Sequence, residues 1–304
     1  MPKLPKFLQF ASITKKITLA LIGLFLMLFL LTHLGINLCL LRNDGGEWFR
    51  AAAHFMGTNY IVKVFEVMLF GAIGLHILLA LIIQFHNWMA RPVGYASGNK
   101  SKTAFGSKLM IWSGLLVALF LVVHLVHFWF AKVGWTEGIY TVKIENVEKA
   151  LGKKQFALNE ALMNTENENE WFSIQREFME LQNYIENDER FHVLMFSGNT
   201  GQRFITNLSK ADIDEMRSFL DVKYEPDFYY MARDLFSIWW VVVMYFFFMV
   251  ALGFHLAHAF PSAFQTLGAA HSKYTPIIKF VGISFAMLVS VGFAIIPIFF
   301  YFCK

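Results

Sequence analysis

Acidic residues are almost missing from about two-thirds of this chain. Of its 22 aspartates and glutamates, only Asp44, Glu47 and Glu66 fall outside residues 131–235. Cysteine is scarce too: Cys39 and Cys303 are the whole supply, with no CxxC pair. That excludes a disulfide framework and an iron–sulfur ligand set, and leaves both as small apolar packing residues. Charge of either sign is thin, at 16% of 304 residues with a formal net of +4. That net says little in itself, because basic and acidic residues are segregated along the chain; no nucleic-acid partner is expected. What fills the space is apolar: 57% of residues are hydrophobic and 34 are phenylalanine. Such a composition belongs to an integral membrane protein rather than a soluble domain.

Five apolar runs stand out, at residues 17–41, 61–85, 109–130, 236–260 and 277–302. Each has roughly 22–26 residues, enough to cross ~30 Å of hydrocarbon at 1.5 Å per residue. Unbroken runs of this length predict helices, because lipid leaves the backbone no other way to satisfy its hydrogen bonds. The opening segment MPKLPKFLQF is not expected to be a cleavable signal, since the apolar run after it is too long and lacks a cleavage pattern. The expected fold is all-α: a five-helix membrane domain made of residues 1–130 and 236–304, interrupted by an extramembrane insert at 131–235.

Orientation follows from the connections. Lys3, Lys6, Lys15 and Lys16 precede helix one; Arg91, Lys100, Lys102 and Lys108 follow helix two; Lys273 and Lys279 follow helix four. These acid-free segments share one side if the helices alternate, so that side is cytoplasmic and the C-terminus external. The short mixed connection at residues 42–60 and the insert are then external. Trp48, Trp129, Trp135, Trp239 and Trp240 would line the outer aromatic belt, and Trp88 and Trp112 the inner. The insert carries 12 basic and 19 acidic residues. Its middle reads as helical on Trp171, Phe172, Ile174, Phe178, Leu181 and Ile185. A further helix is expected to start at Ser209, with Asp212 completing a capping box.

Ten histidines are present, and depth sorts them. Counted from the external end of its helix, His33 lies about 8 residues in and His124 about 6; His76 lies about 15 in and His255 about 19. Two levels result, one from helices one and three and the other from helices two and four. Paired imidazoles from facing helices are a common way to hold a haem iron inside a bundle, and two ligands per iron favour electron transfer over substrate binding. The haems would be separated by ~10–16 Å along the membrane normal. Gly71, Gly74, Gly114 and Gly253 lie near these histidines in sequence and suit close approach of helices or a flat macrocycle. His127 and His258 each follow a proposed ligand by three residues, so each is an alternative ligand on nearly the same face. Against this stands a haem-free reading, in which the histidines form a proton path through a transporter or sensor. Glu66 is the only acid inside a predicted span. It either pairs with Lys63 at the helix end or exchanges protons with a quinone near the outer haem.

Four stretches carry a family resemblance: TKKITLALIGLFLMLFLLTHLGIN; GLHILLALIIQ with ARPVGY; WSGLLVALFLVVHL; and, most specific, ALGFHLAHAFPSAFQTLG followed by AAHSKYTPIIK. The chain resembles the cytochrome b membrane anchor of succinate dehydrogenase and fumarate reductase in its single-chain, five-helix, di-haem form, closest to versions from bacteroidetes. The resemblance covers residues 15–130 and about 229–302, and leaves the insert without a counterpart. It implies that His33 and His124 hold the outer haem b iron and His76 and His255 the inner one, and it selects His124 over His127 and His255 over His258. It implies a non-catalytic membrane subunit in a bacterial cytoplasmic membrane. The partners would be a flavoprotein subunit with covalent FAD and an iron–sulfur subunit with its clusters, both docked on the cytoplasmic face. Electrons would pass between that partner and a membrane quinone such as menaquinone. Glu66 does not align with the glutamate that some members use for menaquinol chemistry. The runner-up is the di-haem subunit of another quinone-linked complex, a hydrogenase or formate dehydrogenase; the motif in helix four argues against it.

Overall fold

The computed structural model describes residues 12–89, 105–187 and 204–303. Lys3, Lys6, Arg91, Lys100 and Lys102, on which part of the orientation argument rests, lie outside the described residues. In chain order the helices are α1 (Ser12–Asn37), α2 (Glu47–Thr58), α3 (Tyr60–Met89), α4 (Phe105–His124), α5 (Phe130–Lys132), α6 (Ile144–Asn164), α7 (Glu168–Asn187), α8 (Lys210–Phe219), α9 (Phe228–Leu235), α10 (Trp239–Thr266) and α11 (Thr275–Phe302). The strands are β1 (Tyr140–Lys143), β2 (Phe204–Leu208) and β3 (Tyr224–Pro226). The chain divides into two units, Met1–Leu125 with Ala232–Lys304, and Val126–Met231.

Among the described residues, five helices are long and apolar enough to cross a membrane: Ile13–Leu41, Tyr60–Met89, Leu109–Lys132, Trp239–Thr266 and Thr275–Phe302. In the first unit α10 is the hub. It packs most extensively on α11, then on α4 and α1, and nine of its residues are buried. α3 packs mainly on α1 and α2, and none of its residues is buried. The core gathers Met27 and Leu34 of α1, Phe248, Met249, Leu252 and Leu256 of α10, and Ala286 and Val289 of α11. Glycine sets the closest crossing: a Cβ on Gly292 would come within 2.9 Å of both Leu34 methyls, so α1 and α11 meet there only because no side chain intervenes. Pro261 sits inside α10 and removes one helical donor; Gly282 of α11 makes room for its ring.

The connection at residues 42–60 is more than a loop. α2 begins after Gly46, whose φ of 86° suits glycine, and it turns Phe49 inward while Trp48 and Phe55 stay exposed. Arg50 is buried beside that turn, where its Nη1 donates to the Gly45 carbonyl at 2.9 Å. Arg42 lies 4.4 Å from the centre of the Trp48 ring.

The second unit corrects the all-α expectation. It contains a three-stranded antiparallel sheet in the order β2-β1-β3, with Tyr140 opposite both Leu208 and Pro226. β1 is central; Pro226, which cannot donate to a ladder, is on an edge strand. Helices α6, α7 and α8 join the sheet around a core of Val142, Val147, Leu158, Leu181, Ile205, Ile213, Met216 and Leu220. Of the apolar positions anticipated in α7, Leu181 and Ile185 are buried, and Ile174 and Phe178 pack against that core. Trp171 and Phe172 are exposed. α8 starts at Ser209 with the expected capping box: Ser209 Oγ accepts from the Asp212 amide at 3.2 Å, and Asp212 Oδ2 accepts from the Ser209 amide at 2.7 Å.

Candidate functional site

Four histidines inside long apolar helices meet as two pairs. His33 of α1 faces His124, the last residue of α4, with ring centres 6.0 Å apart and planes at 83°. His76 of α3 faces His255 of α10, with centres 6.5 Å apart and planes at 71°. Neither α1 with α4 nor α3 with α10 is among the closely packed helix pairs, so the imidazoles reach across gaps that the backbones leave.

Helix rise gives the spacing of the two pairs twice over. A Cβ on Gly23 of α1 would sit 3.8 Å from His76 Cε1. A Cβ on Gly114 of α4 would sit 3.4 Å from His255 Cε1 and 3.6 Å from its Nδ1. Gly23 precedes His33 by ten residues, and Gly114 precedes His124 by ten. Ten residues of helix rise about 15 Å, so both rulers separate the pairs by that distance.

Aromatic rings wall the first pair. Phe29 stacks on His33 at 5.2 Å, and Phe293 of α11 lies 5.6 Å away. Phe120 lies 5.5 Å from His124 and 5.4 Å from the buried Tyr245. Asn37, one turn beyond His33, donates its amide to the His33 carbonyl at 2.8 Å and approaches the ring Nδ1 at 3.3 Å.

The chemistry of this donor set fits a macrocycle-bound iron. An iron with imidazole nitrogens at ~2.0–2.1 Å on opposite sides would hold the ring centres about 6.3 Å apart. The observed 6.0 and 6.5 Å bracket that value. Among the described residues no three metal-ligating side chains converge. Two imidazoles alone do not complete a tetrahedral zinc site, but they do complete an iron that arrives with four equatorial nitrogens. The Nδ1 atoms of His76 and His255 are buried with no hydrogen-bond partner among the described residues. An orphaned buried polar atom costs about 1–3 kcal/mol and calls for a partner such as a water or a bound group.

Two further histidines neighbour these in sequence, His127 and His258. His127 lies within a π-helical turn, Leu125–Trp129, which begins directly after His124. The wider turn changes the angular step along the helix, so His127 does not continue the face on which His124 projects. Its ring sits edge-on to Phe128, 6.5 Å away. His258 is half-buried three residues beyond His255.

Glu66 is half-buried on α3, ten residues before His76, and so lies about 15 Å along the helix from it, near the level of His33 and His124. Tyr245 precedes His255 on α10 by the same ten residues. The four helices therefore share one step, with Gly23 to His33, Glu66 to His76, Gly114 to His124 and Tyr245 to His255. That spacing was present in the sequence and would have singled out Gly23 and Tyr245. The three other expected glycines do not touch the histidines, though Gly253 does serve the close approach of helices. Gly71 and Gly74 are exposed with nothing within 4 Å, and five- and two-residue offsets turn them about 140° and 160° away from His76. Gly253 lets α10 approach Ser290 of α11, where a Cβ would come within 3.0 Å of the Ser290 Oγ.

A concavity of about 320 Å³ at the α6–α7 turn is lined by Thr165, Glu166, Asn167, Glu168, Trp171 and Phe172, and contains none of the expected site residues. Comparison of the chain with protein-family models, with curated proteins and with solved structures gives no match.

Proposed function

We propose that this chain is the di-haem cytochrome b anchor of a succinate:quinone oxidoreductase in a bacterial cytoplasmic membrane. The observation that carries the reading is the two imidazole pairs, 6.0 and 6.5 Å between ring centres, within long apolar helices. His33 and His124 would hold the outer haem b, and His76 and His255 the inner one. When bound, each haem would supply one-electron redox chemistry, its iron held by the two imidazoles of a pair.

The chain's own residues do the rest. Helices α1, α3, α4 and α10 fix the ligand pairs about 15 Å apart along the bundle, and Phe29, Phe120 and Phe293 keep water from the first pair. Glu66 stands at the outer level as a carboxylate able to exchange protons during quinone turnover. With the acid-free connections on the cytoplasmic side, the inner pair is the nearer to a docked iron–sulfur subunit, and the insert is external. FAD and the iron–sulfur clusters belong to the partner chains, since Cys39 and Cys303 cannot hold a cluster.

The test is purification from native membranes under conditions that keep complexes whole. A flavoprotein with covalent FAD and an iron–sulfur protein should accompany the chain, together with succinate-dependent quinone reduction. An intact chain that instead accompanies a hydrogenase or formate dehydrogenase would refute the assignment.

A further inference from the structure

On α1 and α4, the position one ten-residue step from an outer histidine is occupied by hydrogen rather than a side chain, and each vacancy is filled by an inner histidine. We infer that Gly23 and Gly114 are positioning residues for His76 and His255: their bareness lets each imidazole lie against the neighbouring helix, which aims the pair at a shared centre. This rests on the di-haem reading and adds to it the groups that set the inner ligand geometry.

The distances set the tolerance. A Cβ at Gly114 would meet His255 Cε1 at 3.4 Å and Nδ1 at 3.6 Å, and one at Gly23 would meet His76 Cε1 at 3.8 Å. These are ordinary contacts, so a methyl fits. Branching a further carbon toward the ring shortens the approach by roughly 1 Å or more, and a packed helix crossing does not yield that much without turning the imidazole. His76 and His255 come from α3 and α10, which are not closely packed on each other, so neither backbone holds the rings in line. The helices that do touch the rings, α1 and α4, are therefore the ones able to set their angle. The orphaned Nδ1 atoms point the same way, because no hydrogen bond among the described residues fixes either ring.

Four variants test this in the full chain: Gly23→Ala, Gly23→Leu, Gly114→Ala and Gly114→Leu, each purified and read by haem content per chain and by low-temperature electron paramagnetic resonance. The alanine variants should keep two haems with unchanged signals. The leucine variants should lose about half of the haem, or shift only the signal that His76→Ala or His255→Ala removes. The other signal reports that the helices have assembled. Gly71→Leu, on the open face of α3, should match wild type. Leucine variants with both signals unaltered would overturn the inference and leave the di-haem reading standing. A wild-type chain without haem would overturn that reading first.

Discussion

His33 and His124 face each other at 6.0 Å across two helices that are not closely packed against each other. Apolar helices without a driving force between them associate by close packing or by polar bridges. On the proposed reading, the gap that the two imidazoles span is the place of a haem between them. His76 and His255 repeat the arrangement at 6.5 Å, about 15 Å further along the bundle.

Ligand substitution should therefore act by level. His33→Ala and His124→Ala should each deplete one haem, and His76→Ala and His255→Ala the other. His127→Ala and His258→Ala should retain both, as read by redox difference spectra of purified protein. A control that loses a haem while its neighbour's variant keeps both would reverse the ligand assignment in that helix.

Glu66→Gln preserves shape and removes proton exchange. Both haems and dye-linked succinate oxidation by the complex should survive, while quinone-linked turnover slows about a hundredfold, the lower end of the range for losing a general acid or base. Wild-type quinone turnover would return Glu66 to a helix-end carboxylate near Lys63.

The five spans could be read directly because apolar runs of ~22–26 residues leave a helix as the only solution in lipid. The pairing of the histidines could also be read, because depth along a straight helix is a count of residues. The sheet of the second unit could not. β1, β2 and β3 have four, five and three residues, and Tyr140 finds Leu208 only through the folded unit. The glycines were legible in part. Of the four singled out by nearness in sequence, Gly114 and Gly253 do have close neighbours, His255 and Ser290, while Gly71 and Gly74 have none, because angle around the helix decides what a residue faces. Gly23, on a different helix from the histidine it touches, carries no local signal; only its ten-residue step to His33, shared with three other helices, reveals it.

The second unit has its own core, so its stability should respond to that core. Leu181→Ala, at a side chain only 2% exposed, should destabilise the unit by about 2–5 kcal/mol. Ser209→Ala should cost about 1 kcal/mol through the lost cap on α8. Limited proteolysis should be faster in both variants and fastest in Leu181→Ala, with the haem spectrum unchanged. A loss of haem in either variant would contradict the separation of the two units' roles.

Topology can be tested with intact cells stripped of their outer barrier. Protease added from outside should cut the exposed stretch near Met163 and Phe172, which are 86% and 59% accessible. Cleavage confined to inverted vesicles would reverse the proposed orientation.

The most direct test of the central claim is a reduced-minus-oxidised visible spectrum of the purified chain with haem quantified against protein. The di-haem assignment requires a sharp b-type α band and two haems per chain, both low-spin. A chain that is folded and pure yet shows no α band would contradict it, and would leave the paired histidines as a polar path through the bundle.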